Sequence, residues 1–328
     1  MTHSRLDKHF RITVAALTRR RPQMVQSLLA SWGEMDLPEN CDVRCLIVEN
    51  DDEPRMRSVI TAQPVLNNGM ALDYVLETEA GIPFGRNRAA KEALAHGDDL
   101  LVFVDDDETV AQDWLVKLVN GYRNSDAVLL GGPVRIAPPS IKLTRLQAAI
   151  HDSLTRKHQK KEKRAQEKAA RSTNPNITAA TNNWIAETRL FSDENIWFDE
   201  NMRFTGGTDT KLYQTVKAKG FVTGWIEDAY VYETLPVKRL SFRYQFQRAK
   251  DHGNNSFNLK MIQKPQSRYT IFLRIPTKVI QLILLTLSIP FTRGDALLKL
   301  AHKSGTFYGK LGAALGRRSQ HYKKTTGH

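Results

Sequence analysis

The chain has 328 residues, 41% of them apolar and 25% charged, and a net charge of +13. That size buries a sizeable core, as one large domain with an appendage. The charge is partitioned: from Lys238 onward 18 Lys and Arg face 2 acids, about +16, whereas Met1–Val237 carries about −3, which excludes a uniformly basic nucleic-acid binder. Cys41 and Cys45 are the only cysteines, so no disulfide framework is implied, and no partner Cys or His pair marks a metal site.

Met1 to Phe10 is polar and lacks the apolar core of a signal peptide. Arg11–Leu17 predicts a first strand, and Thr18-Arg19-Arg20-Arg21-Pro22 a turn into a helix over Met24–Trp32, with Val25, Leu28, Leu29 and Trp32 on one face. A second strand, Val43–Val48, ends in Glu49-Asn50-Asp51-Asp52, and a third covers Leu72–Leu76. Gly81-Ile82-Pro83-Phe84-Gly85 then leads into a helix from Arg86 to Ala95. Leu100–Val104 predicts a strand buried on both faces, followed by Asp105-Asp106-Asp107-Glu108. A helix over Ala111–Tyr122 and a strand over Ala127–Gly131 follow. This alternation implies an α/β fold: a Rossmann-like, mostly parallel sheet flanked by helices, with ligands at the carboxyl ends of the strands.

Four acids at a strand end repel one another and are best tolerated around a cation. Residues two apart on an extended segment share a face, which puts Asp105 and Asp107 toward one crevice and Asp106 elsewhere. Oxygen ligands of this kind suit Mg²⁺ or Mn²⁺ completed by substrate phosphates; a solvated acidic turn is the alternative. Arg156–Arg171 is a basic run without an apolar stripe, a solvated helix or mobile loop, or a basic lid over an anion. In Phe204-Thr205-Gly206-Gly207-Thr208-Asp209 the double glycine allows close backbone approach. Asp209 opens a helix over Thr210–Lys219, whose dipole keeps a carboxylate ionised; an N-cap role for Thr208 or Asp209 competes.

These pieces, in this order over roughly Arg11 to Asn255, resemble the inverting family-2 glycosyltransferases of GT-A fold. The similarity is to bacterial exopolysaccharide, succinoglycan-type or lipopolysaccharide enzymes. Val14–Arg19 matches the family's first strand and turn, Glu49-Asn50-Asp51 its acidic second-strand end, and Gly85-Arg86-Asn87 its Ala-Arg-Asn element. Asp105-Asp106-Asp107-Glu108 matches the metal motif, and Gly206-Gly207-Thr208-Asp209 the late Gly-Gly-Glu-Asp element with Thr208 in place of Glu. The resemblance implies that Thr18, Glu49, Arg86, Asp105, Asp106 and Arg248 bind a nucleotide-sugar donor, Glu49 reading the base and Arg86 a ribose or phosphate. It makes Asp105 and Asp107 ligands of Mn²⁺ or Mg²⁺, and Asp209 the base of a single displacement that inverts configuration. Trp184, Gly206 and Gly207 fall on the acceptor side, although Trp184 competes as a core residue. Glu233 stands where relatives place a metal-binding His; an ion pair with Arg239 or Arg243 is the alternative.

A catalytic domain is expected over 1–255 and a basic helical extension over 256–328. Within the extension Val279–Ile289 is apolar but closed by Pro290, shorter than the roughly 20 residues of a spanning helix. Ala296–Arg318 predicts a helix with Leu297, Leu300, Ser304, Phe307, Leu311 and Leu315 on one side. Monotopic attachment to the anionic cytoplasmic face of the cell membrane is expected, beside a glycan or lipid-linked glycan acceptor; packing of both helices on the catalytic domain is the alternative. A UDP-sugar is the favoured donor. A sugar-phosphate nucleotidyltransferase would need a Gly-rich N-terminal loop that the chain lacks, and a basic adaptor would leave the paired acids and Asp209 without a role.

Overall fold

A computed structural model describes residues 3–203, 207–263, 266–292 and 294–317. The strands are β1 Phe10–Thr18, β2 Cys41–Glu49, β3 Ala71–Leu76, β4 Leu100–Asp105, β5 Glu108–Val110, β6 Leu129–Gly131, β7 Val134–Ile136, β8 Asn183–Glu187, β9 Thr223–Trp225 and β10 Val231–Glu233. The helices are α1 His3–Leu6, α2 Pro22–Glu34, α3 Arg57–Thr61, α4 Ile82–His96, α5 Trp114–Arg123 and α6 Arg145–Ala169. They continue with α7 Arg189–Ser192, α8 Thr208–Ala218, α9 Phe242–Gln263, α10 Ser267–Leu273, α11 Ile275–Leu287 and α12 Asp295–Ala314.

Seven strands form one sheet in the order β3-β2-β1-β4-β8-β6-β9, mostly parallel, with β8 antiparallel to both of its neighbours. The apolar strands β1, β2 and β4 are buried on both faces because helices cover each side. On one side Val25, Leu28, Leu29 and Trp32 of α2 join Trp114, Leu115 and Leu118 of α5 in the core. On the other, Ala89, Ala90 and Ala93 of α4 pack with Leu212, Tyr213 and Val216 of α8. The register sets Thr18 opposite Glu49 and Leu17 opposite Asp105, so three strand ends finish along one edge.

A smaller sheet, β5-β10-β7, begins immediately after the acidic turn. Its antiparallel pairing places Glu233 opposite Glu108, which brings a fifth acid to that turn. The basic run of 156–171 lies largely in α6, 25 residues long and opened by a capping box between Thr144 and Gln147. Arg135 pairs with Glu162 at 2.7 Å and Arg156 with Asp295 at 2.5 Å, pinning α6 to the small sheet and to α12.

The C-terminal region departs from expectation in two respects. First, α9 runs through position 255 without a break, so the proposed boundary falls inside a helix. Second, α12 buries Ala301, Gly305, Gly309 and Ala313, one residue per turn, whereas Leu300, Phe307 and Leu311 are half-buried and Leu315 is exposed. The helices α9 and α12 lie side by side in the same direction, Phe246 beside Gly305 and Lys250 beside Gly309. A Cβ at either glycine would collide with a backbone carbonyl of α9. Small residues rather than large ones make that interface, so the large apolar side chains did not mark the buried face.

Candidate active site

The acidic turn is built by strand β4 delivering Asp105 at its last position, after which the chain reverses into β5. Asp105 N–H donates to the Glu108 carboxylate at 2.9 Å, which closes the turn. Burial raises the affinity of Asp105 for its proton; Arg86 opposes this, and the Asp107 and Asp106 charges push it up further. Glu108 and Glu233 are also raised, by burial first and then by neighbouring acids. Three carboxyl groups that resist ionisation beside Asp107 form a site short of positive charge.

The protein supplies part of that charge itself. Arg21 donates to Asp106 at 2.7 Å and lies 3.7 Å from Asp107, and Arg239 reaches Asp107 at 2.9 Å and Glu233 at 3.3 Å. Thr18 donates to the other Asp106 oxygen at 2.9 Å. Asp106 is therefore a buried wall residue joining β1 to the turn. The Glu233–Arg239 pair matches the ion-pair alternative for Glu233.

Arg86 lies in the first turns of α4, where the chain is already helical from Ile82. Its guanidinium donates to Thr208 Oγ1 at 2.9 Å and stands over the Phe198 ring at 5.5 Å. Burial depresses its pKa, and the Asp105 and Asp209 charges hold it up. One half-buried cation thus interacts electrostatically with both Asp105 and Asp209. Gly207 caps α8 at φ +96°, a left-handed backbone that glycine adopts without strain. Asp209 then sits in the first turn of α8, accepting from the Thr210 N–H at 2.9 Å.

Asp209 also lines a cavity of about 1100 Å³ walled by α6, Trp225 of β9, and Asp295 and His302 of α12. Trp225, which the sequence did not single out, is the aromatic on that wall. The Trp184 expectation is overturned: the ring is 1% exposed, stacked on Phe103 at 5.6 Å inside the core. It faces inward because β8 inserts beside β4, a pairing that its short polar start does not announce.

Glu49 is likewise not presented to a ligand. It is 0% exposed, and its carboxylate accepts from the Met56 N–H at 3.0 Å and the Tyr74 hydroxyl at 2.6 Å. Both of those donors come from the fold. Asn50 is committed too, donating to the Glu77 and Glu79 carbonyls, and Asp51 holds Arg19, Arg20 and Arg55. Arg248 is exposed on α9, near enough to Glu233 to favour that group's ionised form. Gly206 lies outside the described residues. Arg21's contact with the acidic turn and the Arg86–Thr208 bond are not read from the sequence; the Arg19-Arg20-Arg21 run is the one local signal for the former.

Among the described residues no three acidic or His side chains converge as a metal cage. Asp105 and Asp107, mutually repelling at a buried strand end, fit a hard cation that takes the rest of its shell from a phosphorylated ligand.

No protein-family profile matches the chain. It is 28% identical over 250 residues to the succinoglycan biosynthesis protein ExoM of Rhizobium meliloti (strain 1021), spanning 74% of each chain. Its fold is similar to that of S. aureus TarS 1-349 in complex with UDP, with a TM-score of 0.52 and 16% identity over 94% of this chain and 92% of that one. It is also similar to the mannosyltransferase PcManGT from Pyrobaculum calidifontis, in complex with GDP-Man and Mn²⁺, with a TM-score of 0.61 and 14% identity over 97% and 93%. The chain thus has a fold similar to that of GT-A glycosyltransferase structures and is similar in sequence to a succinoglycan biosynthesis protein.

Proposed function

We propose that the protein transfers a sugar from a nucleoside-diphosphate donor, a UDP-sugar by preference, to a hydroxyl of a glycan or lipid-linked glycan, with inversion. The observation that carries this reading is the 2.9 Å hydrogen bond from Arg86 to Thr208, which ties the helix after β3 to the helix whose first turn holds Asp209. That bond supports a reading in which the acidic turn and Asp209 serve one reaction. Asp209, in the first turn of α8, takes the acceptor proton as the new bond forms. Arg86, Arg21, Arg239 and Arg248 are the cations available to the departing diphosphate. Asp105 and Asp107 would hold Mn²⁺ or Mg²⁺, which supplies positive charge to the leaving group. Trp225 offers an apolar face to an acceptor sugar beside Asp209.

Association with an anionic membrane belongs to the same proposal. No helix among the described residues is long and apolar enough to cross a membrane. Yet α11 has no buried residue, and Leu273, Ile280, Ile283, Leu284, Leu287 and Phe291 form an exposed apolar surface, the last 86% accessible. Lys260, Arg274 and Lys278 gather near Lys310, depressing it after burial has done so. Apolar side chains rimmed by cations suit an interfacial site on anionic lipid, at the face where a lipid-linked acceptor resides.

The test is a panel of UDP- and GDP-sugars with Mn²⁺, read by thermal stabilisation and by release of free nucleoside diphosphate. Stabilisation and turnover with one donor, abolished in Asp107→Asn, support the reading. Pyrophosphate release instead would point to a nucleotidyltransferase.

A further inference from the structure

Asp107 presents one oxygen, Oδ2, to two guanidiniums: Arg239 reaches it at 2.9 Å and Arg21 stands 3.7 Å away. The two are held differently. Arg21 is anchored elsewhere, donating to Asp106 at 2.7 Å. The acid partners of Arg239 among the described residues are Asp107 and, at 3.3 Å, Glu233. Only 15% of the Arg239 side chain is accessible, so one cation is packed between two carboxylates that are themselves largely withdrawn from water. A hard cation taking Asp107 Oδ2, at the roughly 2.0–2.1 Å of a Mg²⁺–oxygen bond, would stand beside that guanidinium. Two cations at contact distance in a site with little water repel strongly.

The backbone behind Arg239 is anchored on both sides. Arg239 closes a 3₁₀ turn, Val237–Arg239, between β10 and α9. On the strand side Thr234 N–H donates to the Asp107 carbonyl at 2.8 Å, and on the helix side Gln245 Nε2 donates to the Arg239 carbonyl at 2.8 Å. The next residue, Leu240, is buried with Ile150, Leu154 and Leu298. The guanidinium therefore leaves Asp107 by rotation about its own torsions while the turn stays in place. Charge decides where it goes: a displaced guanidinium needs another anion, and the donor's diphosphate brings one in the geometry that a guanidinium fork matches. Resting on the reading of Asp105 and Asp107 as ligands of a cation shared with the donor, we propose that Arg239 is a resident counter-ion that competes with the metal for Asp107 and gives way when a nucleoside diphosphate offers it a new partner. Metal and nucleotide then bind as a coupled pair, each tightening the other. A divalent cation arriving without nucleotide must displace Arg239 with nothing to receive it.

The experiment titrates MnCl₂ into the full-length protein, with and without saturating UDP, and reads free Mn²⁺ by electron paramagnetic resonance. Arg239→Gln keeps hydrogen-bonding capacity and loses the charge. Arg239→Lys keeps the charge and loses the fork; circular dichroism checks both folds. Without UDP the Gln variant binds Mn²⁺ roughly tenfold more tightly than the wild type, and the Lys variant falls between them. UDP tightens Mn²⁺ binding by roughly tenfold or more in the wild type, and by a factor at least about threefold smaller in the Gln variant. Where loss of the charge unfolds the protein, the Lys variant carries the same comparison, with both shifts smaller and of the same sign. A merely structural role for Arg239 would lower metal affinity in the variants, not raise it. Mn²⁺ binding no tighter in the variants than in the wild type, or an equal enhancement by UDP in all three proteins, overturns the proposal and leaves the transferase reading standing. Failure of all three to bind Mn²⁺ even with UDP overturns the metal-ligand reading of Asp105 and Asp107, and the proposal with it.

Discussion

Arg86 Nη1 donates to Thr208 Oγ1 at 2.9 Å, joining the helix that follows β3 to the helix that carries Asp209. The bond spans 122 positions of sequence and holds a guanidinium that interacts with the charges of Asp105 and Asp209. Thr208→Val removes the acceptor while keeping the shape, leaving a half-buried cation short of a partner. A hydrogen bond to a charged group contributes about 1.5–3 kcal/mol, so kcat/KM falls roughly tenfold or more. Thr208→Ser retains the hydroxyl and most of the activity; equal kinetics in Val and Ser variants would remove the bond from the account.

Trp225 shares a cavity wall with Asp209, whereas Trp184 is in the core. Trp225→Ala raises the acceptor KM, by about tenfold for the loss of a stacking face, and leaves donor binding alone. Trp184→Ala acts on stability instead, at about 3–5 kcal/mol for a large core ring. Steady-state kinetics beside chemical denaturation separates the two.

Burial alone would raise Asp51, but hydrogen bonds from Arg20 and the Asp52 N–H hold it well below the usual carboxylate range. A depressed folded-state pKa contributes stability that is present above the ordinary value near 3.9 and is lost as pH falls below it. Asp51→Asn therefore costs about 1–3 kcal/mol at pH 7, discounted because the arginine partners reach water. The variant also flattens the loss of stability on the acid side of pH 4, measured by denaturant melts across pH.

Much of the chassis was legible: β1, α2, β4 and their buried faces follow from apolar periodicity, which local sequence carries in full. The positions of the acidic turn at the end of β4 and of Asp209 in the first turn of α8 are legible from local sequence, the first from four consecutive acids after an apolar run and the second from the glycine pair before a helix. What was not legible depends on partners far along the chain. Glu49 is occupied by Tyr74, 25 residues on, and buried Asn183 satisfies Trp114, Pro133 and Ala229 at once. Nothing in Asn182-Asn183-Trp184 says that its strand runs antiparallel through the middle of the sheet. The small-residue face of α12 was hidden for the converse reason: glycine shows no hydrophobicity, yet it sets how closely two backbones approach.

That approach is testable within one helix. A Cβ at Gly309 would strike the Lys250 carbonyl, whereas one at Gly312 meets only the Asn254 side-chain amide, at 3.8 Å, and Arg317 side-chain atoms. Gly309→Ala destabilises by about 1–3 kcal/mol or more through overpacking. Gly312→Ala is neutral or stabilising by about 0.4–1 kcal/mol. Equal melting temperatures would show that α9 and α12 are not in contact.

Leu284 and Leu287 are exposed on α11, so glutamates there leave the fold intact. The full-length wild type co-sediments with vesicles containing anionic lipid, and a Leu284→Glu, Leu287→Glu variant partitions roughly tenfold or more weakly. Equal sedimentation of both proteins would rule out α11 as the lipid-facing helix.

The most direct measurement is the turnover of Asp209→Asn at saturating donor and Mn²⁺, with donor affinity measured on the same sample. The arrangement around Arg86 predicts unchanged donor affinity and a kcat lower by about 10²–10⁴-fold, the range of a lost general base. Undiminished turnover, or loss of donor binding in step with activity, would contradict a base at Asp209.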